Sequence, residues 1–186
     1  MNIIVCVKQV PDTNEVRIDP VKGTLIREGV PAIMNPDDKA GLEAALELKD
    51  RLGAKVTALS MGPAQADAVL REALAMGADE GILISDRAFG GADTWATSST
   101  LAAAISTLPY DLIITGRQAI DGDTAQVGPE IAEHLNLPHI SYASAIDVSG
   151  DTLTVRQALD DREQVVRAAL PALVTALGGM NQPRYM

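Results

Sequence analysis

Continuous apolar runs alternate with stretches of helical period along most of this chain. Residues 3–7 (IIVCV) are apolar without polar alternation, the pattern of a strand buried on both faces. Residues 55–60, 81–85 and 111–115 repeat it, and each run is followed by a polar or glycine-containing turn. Asn35-Pro36-Asp37-Asp38 then supplies a cap, a proline for the first helical position and two acids for the first turn, ahead of Leu42, Ala45 and Leu46 at helical spacing. Gly53 closes that helix. The same pattern predicts helices over 64–76, stopped by Gly77, over 93–108 and over 129–135, the last opened by Pro129. Strands alternating with helices of this length need crossover connections and so a parallel sheet.

Two regions break the alternation. Val16, Ile18, Leu25 and Ile26 flank Lys22-Gly23, which predicts an edge hairpin near 14–28. From His139 onward, 140–148, 152–156 and 164–168 are separated by Ser149-Gly150 and Asp160-Asp161, the pattern of a small antiparallel extension, with 173–177 as a last apolar strand. The chain therefore reads as one α/β domain over 1–186: a doubly wound, mostly parallel, Rossmann-like core at 1–138 with flanking helices, then an antiparallel β extension at 139–186.

Charge and composition narrow the function. In 186 residues, 15 basic against 25 acidic side chains give a formal net charge of -10, which argues against nucleic acid or an anionic membrane as a direct partner. The single cysteine, Cys6, rules out an internal disulfide and fits a reducing compartment. The start MNIIVCVK enters the first strand without a basic leader, and no run is long enough to insert in a membrane, so a cytoplasmic protein is expected. Aromatics are scarce, so a bound ring system would rest on main-chain and aliphatic contacts.

The densest candidate chemistry is Gly116-Arg117-Gln118-Ala119-Ile120-Asp121-Gly122-Asp123-Thr124-Ala125-Gln126-Val127-Gly128, small and polar, directly after the strand at 111–115. Such a loop at the carboxyl end of a parallel strand, leading into a helix, presents main-chain N–H groups to phosphate, although glycine-rich loops there also serve as plain turns. Asp121 and Asp123 would repel phosphate face-on and should point away from it. Neither GxGxxG nor GxxxxGK[ST] is present, so a standard NAD fingerprint and a P-loop lack support. Cys6 and Val7, Asn35 to Asp38, Met61-Gly62-Pro63 and Gly90-Gly91-Ala92-Asp93-Thr94 all follow strands whose carboxyl ends share one sheet edge, so separate turns become walls of one crevice. His134 and His139 lack a second ligand at metal spacing, and the serines lack a catalytic context, so neither a metal nor a catalytic side chain is expected.

Read together, these segments resemble the beta subunit of electron transfer flavoproteins over essentially the whole chain. The resemblance is carried by CVKQVPD at 6–12, Met34-Asn35-Pro36, SMGPA at 60–64, ALAMGAD at 73–79, the 116–129 loop and NQPRY at 181–185. It implies an adenine-nucleotide-binding fold, a heterodimer with an alpha subunit carrying FAD, and redox exchange with an acyl-CoA dehydrogenase or another flavin or quinone partner. The nucleotide held by this subunit would be AMP, structural, or a second FAD in members that bifurcate electrons from NADH. The 116–129 loop and FGGADTWATS at 89–98 are more similar to the FAD-binding branch, so FAD is expected and AMP is the alternative. On that reading amides of 122–127 hold the pyrophosphate, Cys6 and Met61 line the adenine side, and Asp93, Thr94 and Thr97 approach the isoalloxazine. The complex would be an electron carrier, NADH-oxidising with its alpha subunit. An unrelated ATP-binding or ATP-hydrolysing α/β domain is the third possibility. Family members continue past the Asn-x-Pro-Arg-Tyr segment into a C-terminal arm, whereas this sequence stops at Met186, which would weaken subunit docking.

Overall fold

The computed structural model describes residues 1–12 and 31–186; the hairpin expected near 14–28 lies outside the described residues. The first apolar run forms β1 (Asn2–Cys6), and a short antiparallel pair follows, β2 (Gln9–Pro11) with β3 (Ala32–Met34). Then come α1 (Pro36–Leu52), β4 (Lys55–Met61), α2 (Asp67–Met76), β5 (Glu80–Ile84), α3 (Thr94–Ile105), β6 (Leu112–Gly116) and α4 (Val127–His134). The chain ends with β7 (His139–Ser149), β8 (Thr152–Ala158), β9 (Glu163–Ala169) and β10 (Ala172–Ala176).

These strands build an eight-stranded sheet in the order β5-β4-β1-β6-β10-β7-β8-β9. Every neighbouring pair from β5 to β7 is parallel, and only β7-β8 and β8-β9 are antiparallel. The architecture is therefore a doubly wound α/β sheet with an antiparallel corner. The chain runs outward from β1 through β4 to β5, then returns to the other side of β1 to lay down β6. That reversal makes the gap between the carboxyl ends of β1 and β6 the topological switch point, where open α/β sheets bind ligands.

Side chains one residue apart on each strand enter two different cores. Ile3, Val5, Leu112, Ile114 and Val174 pack with Leu42, Leu46 and Leu70 beneath α1 and α2. Ile4, Leu59, Ile113 and Leu173 face Leu101, Ile105 and Ile131 of α3 and α4. Complete burial of each such Ile or Leu contributes about 1.5–3 kcal/mol, so the central strands hold a rigid edge beneath the loops. Asp79 ties β4 down as well, accepting from the Val56 amide at 2.8 Å while its own amide donates to the Val56 carbonyl at 2.8 Å. The Lys49 ammonium, with that amide, holds the Asp79 carboxyl below the usual carboxylate range.

The sheet departs from the sequence reading in where the last strand goes. β10 enters between β6 and β7, parallel to both, pairing Leu173 with Ile113 and Val174 with Ile140. All five of its residues are buried, and a strand apolar on both faces is stable only inside a sheet. The first half of β7 consequently belongs to the parallel sheet, and only its later half pairs with β8.

Helix ends differ in detail. Residues 64–76 begin as a 3₁₀ turn, Ala64–Ala66, before α2. Helix α4 starts at Val127, so Pro129 is its third residue and not its first. An imino nitrogen is tolerated there because first-turn amides have no intrahelical acceptor. Helix α3 stops at Ile105, and the next turn tightens through Thr107 and Leu108 amides donating to Ala104 and Ile105 carbonyls.

Candidate functional site

Asn35 precedes α1 in the position of a capping residue, yet its side chain makes no capping hydrogen bond. Wholly buried, it reaches the loop after β6 instead: its Nδ2 donates to the Gln118 carbonyl at 2.8 Å, and its Oδ1 accepts from the Ile120 amide at 3.1 Å. Its own amide donates to the Lys8 carbonyl at 2.9 Å. Through its side chain and its main chain, one residue therefore joins three segments that lie far apart in sequence.

Asp38, in the first turn of α1, completes the junction. One carboxylate oxygen accepts from the Lys8 amide at 2.8 Å, just past β1, and the other from the Gly116 amide at 3.0 Å, the last residue of β6. Gly116 has to be glycine here, because a Cβ would collide with that carboxylate and lie 2.8 Å from the Asp38 amide nitrogen. Gly128 is similarly pressed, since a Cβ there would approach Thr115 Oγ1 at 2.6 Å, which seats the start of α4 against the ends of β6 and β10. Burial raises the Asp38 carboxyl to about 7, against the hydrogen bonds from Asn35, Lys8 and Gly116, with Asp37 adding to the rise. Burial, and then the nearby Asp38, push the Cys6 thiol up to about 12, so this half-buried cysteine is no thiolate nucleophile.

Lys8 Nζ pairs with Asp121 Oδ1 at 2.6 Å, the Asp121 side chain being only 4% exposed. Gln118 Nε2 donates to Asp123 Oδ1. Arg117 lies beside Asp37, Nε to Oδ2 3.5 Å, without a hydrogen bond, and neither atom has another partner among the described residues. The 117–126 loop is thus tethered at Asn35, Lys8 and Ala176, whose carbonyl accepts from the Arg117 amide at 2.8 Å.

Farther along, Gly122 and Asp123 donate their amides to the Ala119 carbonyl. Asp123 and Ala125 both take left-handed backbone, each with φ 53°, an uncommon conformation for residues with a side chain. Among the described residues, the amides of Thr124, Ala125, Gln126 and Val127 have no protein acceptor. Consecutive unengaged N–H groups around left-handed residues, opening the first turn of α4, suit an anion. Gly122 adds open space, with no atom within 4 Å of a Cβ built on it.

The residues singled out from the sequence divide into those in direct contact and those nearby. Asn35, Asp37, Asp38 and residues 116–121 form one hydrogen-bonded and ionic cluster at the switch point, while Pro36 stays exposed beside it. Val7 donates its amide to the Leu59 carbonyl and joins β1 to β4. Met61 and Gly62 sit one strand away, Gly62 donating to the Ile84 carbonyl, and none of their hydrogen bonds reaches the 116–128 loop. Met61 still packs on the apolar cluster that Cys6 and Val127 cover. Asp93 spends its carboxylate capping α3, accepting from the Ala96 amide at 2.8 Å, and Thr97 lies half-buried one turn on. Thr94 makes the link, its hydroxyl 3.2 Å from Gln126 Oε1 and 3.0 Å from Glu130 Oε1.

Sequence reasoning missed Lys8 as a site residue, although it stands in the CVKQVPD segment, because a lone lysine after a strand carries no local signal. His134 sits inside the α3–α4 packing: its Nε2 lies 3.2 Å from the buried Ser98 hydroxyl, and its ring meets Trp95 edge-on at 4.6 Å. Among the described residues no cluster could hold a metal ion, and no helix is long and apolar enough to cross a membrane.

Comparison with known proteins decides the family. The electron transfer flavoprotein domain matches residues 22–186. A subunit beta of electron transfer flavoprotein from Clostridium acetobutylicum is 66% identical over 186 residues, covering 100% of this chain and 72% of the relative. The chain belongs to the electron transfer flavoprotein family. The caffeyl-CoA reductase-Etf complex subunit CarD of Acetobacterium woodii is 56% identical over 188 residues, with 100% of this chain and 72% of CarD covered. Protein FixA of Azotobacter vinelandii is 47% identical over 192 residues, with 100% and 68% covered. Within the family the chain is a subunit of the beta or FixA type, a component of electron transport.

Proposed function

We propose that the switch-point cluster binds an adenine nucleotide, FAD in preference to AMP, and that with an alpha subunit this chain passes electrons to or from a flavin or quinone redox partner. The observation that carries this reading is the double hydrogen bond of Asn35 to Gln118 and Ile120, which fixes the loop after β6 across the end of β1. Amides of Thr124 to Val127 would hold the phosphates, with no lysine needed in contact. Cys6 and Met61, aliphatic-like and close to one apolar cluster, would flank the adenine. The Thr94 to Gln126 contact extends the wall toward α3, which supports a ligand longer than AMP. A bound flavin would supply the one- and two-electron chemistry, while the chain's residues orient it, shield it and set the charge around it. No acid or base side chain is required of this subunit.

The CarD name supports a partner enzyme that acts on a CoA thioester, an acyl-CoA dehydrogenase or reductase, and an NADH-oxidising, bifurcating complex in the cytoplasm is the fuller form of the reading. An absorbance spectrum of the purified chain, with its bound small molecule identified after denaturation, tests it. Yellow protein with flavin near one per chain is expected. Colourless protein releasing AMP would replace FAD by AMP, and ATP turnover without either would end the reading. Bulky residues at Gly122 and Thr124 should abolish retention while the far-ultraviolet spectrum stays unchanged.

A further inference from the structure

Resting on that nucleotide reading, we infer that Asp38 is a positioning residue whose buried carboxylate, bridging the Lys8 and Gly116 amides, sets the spacing of the two strand ends between which the nucleotide lies. The two amides belong to opposite sides of the switch point, and nothing else in the hydrogen-bond pattern of the described residues spans β1 and β6 at that level with a single side chain. Glycine at 116 brings the β6 backbone close enough for the contact, and Gly178, past β10, makes room in the same way for the neighbouring Asp37. The bridge needs two acceptors on one planar group. A carboxylate has them, whereas a protonated acid or a carboxamide turns one face into a donor, directed at an N–H that is also a donor.

Several groups around Asp38 bear on its ionisation. Cys6 on β1 stays a neutral thiol, since burial and Asp38 itself raise it. Asp37, beside it on α1, opposes its charge. Lys8 is held by Asp121, and Arg117 beyond β6 lies against Asp37. Because burial brings the carboxyl to about 7, the bridge is complete above neutrality and weakens as pH falls through 7. Nucleotide affinity should follow.

The test is equilibrium binding of FAD, and separately of AMP, to the purified chain and to Asp38→Asn between pH 6 and 8.5, with circular dichroism to confirm folding. FAD comes first because its diphosphate does not titrate in this range. The AMP phosphate does, but identically for both proteins. Wild-type affinity should fall about tenfold from pH 8 to pH 6, the change in ionised fraction for a group near 7. Asp38→Asn should bind at least tenfold more weakly at pH 8 and show a flat profile. Equal affinity of the two proteins at pH 8, or the same pH slope in both, overturns the inference. If the asparagine variant does not fold, a wild-type FAD profile that is flat from pH 8 to pH 6 overturns it alone. A wild-type chain that binds neither FAD nor AMP at any pH brings down the nucleotide reading beneath it, a result distinct from the others.

Discussion

The antiparallel corner of β7, β8 and β9 and the switch point between β1 and β6 are held by opposite means. In the corner, strands adjacent in sequence pair rung by rung from Ser149 with Thr152 to Ala158 with Glu163, and Leu153 and Val155 fill the space beneath. At the switch point few ladder bonds are available, because the strands have ended. Order there comes from side chains reaching main-chain groups 30, 78, 83 and 85 residues away. Burial of apolar surface stabilises the first region whatever its chemistry, whereas the second exists only while a few polar groups keep their partners. The corner should therefore respond to mutation through stability, and the switch point through binding.

The largest expected effect breaks that comparison most cleanly. Leu153→Ala removes a fully buried side chain from the corner and should cost about 2–5 kcal/mol of unfolding free energy. Molecules that remain folded should still hold nucleotide at the wild-type ratio. Denaturant unfolding followed by nucleotide quantitation in the folded fraction checks both halves, and loss of nucleotide ahead of unfolding would show the two regions to be coupled.

Asp38 offers an effect of the opposite sign. A carboxyl raised on folding binds its proton more tightly in the native state, so its contribution falls as pH rises from about 4 to about 7 and is flat above. The full cost of burying the charge is on the order of 4 kcal/mol. Asp38→Asn should therefore gain stability relative to wild type between pH 5 and pH 8 in urea unfolding, while losing nucleotide at pH 8. A stability difference that does not change with pH would mean that the native carboxylate is better solvated than its burial indicates.

How much of this was legible in the sequence follows the same division. The doubly wound class and nearly every strand could be read because apolar runs such as 3–7 and 111–115 are local patterns, and the glycines at 53 and 77 mark real helix ends. The place of β10 could not, since the order of strands in a sheet depends on which faces remain to be covered and not on any one segment. At the site, the residue types of the 116–128 loop were readable, and so was its shared edge with Asn35. The partnership of Lys8 with Asp121 was not, because the two are 113 residues apart and each is ordinary in its own surroundings. Asn35 stands where a helix cap belongs, and the structure instead turns its buried side chain to the loop. Capping residues are interchangeable in local sequence terms, so only the fold decides what their side chains meet.

Gly116→Ala should act on both axes. Its Cβ has no room beside Asp38 and Asp37, so about 1–3 kcal/mol of overpacking cost is expected. Because relief requires the β6 end or the start of α1 to shift, nucleotide affinity should fall further than that cost explains. Comparing the loss in binding with the loss in unfolding free energy measures it, and a proportional loss in both would assign Gly116 to packing alone.

The smallest effect sharpens the comparison most finely. Lys8→Met removes the ammonium from Asp121 while keeping the aliphatic stem and the main-chain amide that Asp38 accepts. The lysine side chain is 41% exposed, so solvent screens its end of the pair, but the Asp121 carboxylate left behind is only 4% exposed, and about 1–2 kcal/mol of stability should be lost. The loop should nevertheless open more often, because one of its tethers to the β1 side is gone while that of Asn35 remains. Nucleotide release, followed by stopped-flow displacement, should therefore quicken by a few-fold at low salt and approach the wild-type rate as rising ionic strength weakens the wild-type pair. Identical release rates at all salt concentrations would leave the Asn35 and Ala176 hydrogen bonds as the tethers that hold this loop, with the ion pair adding nothing to a loop they already close.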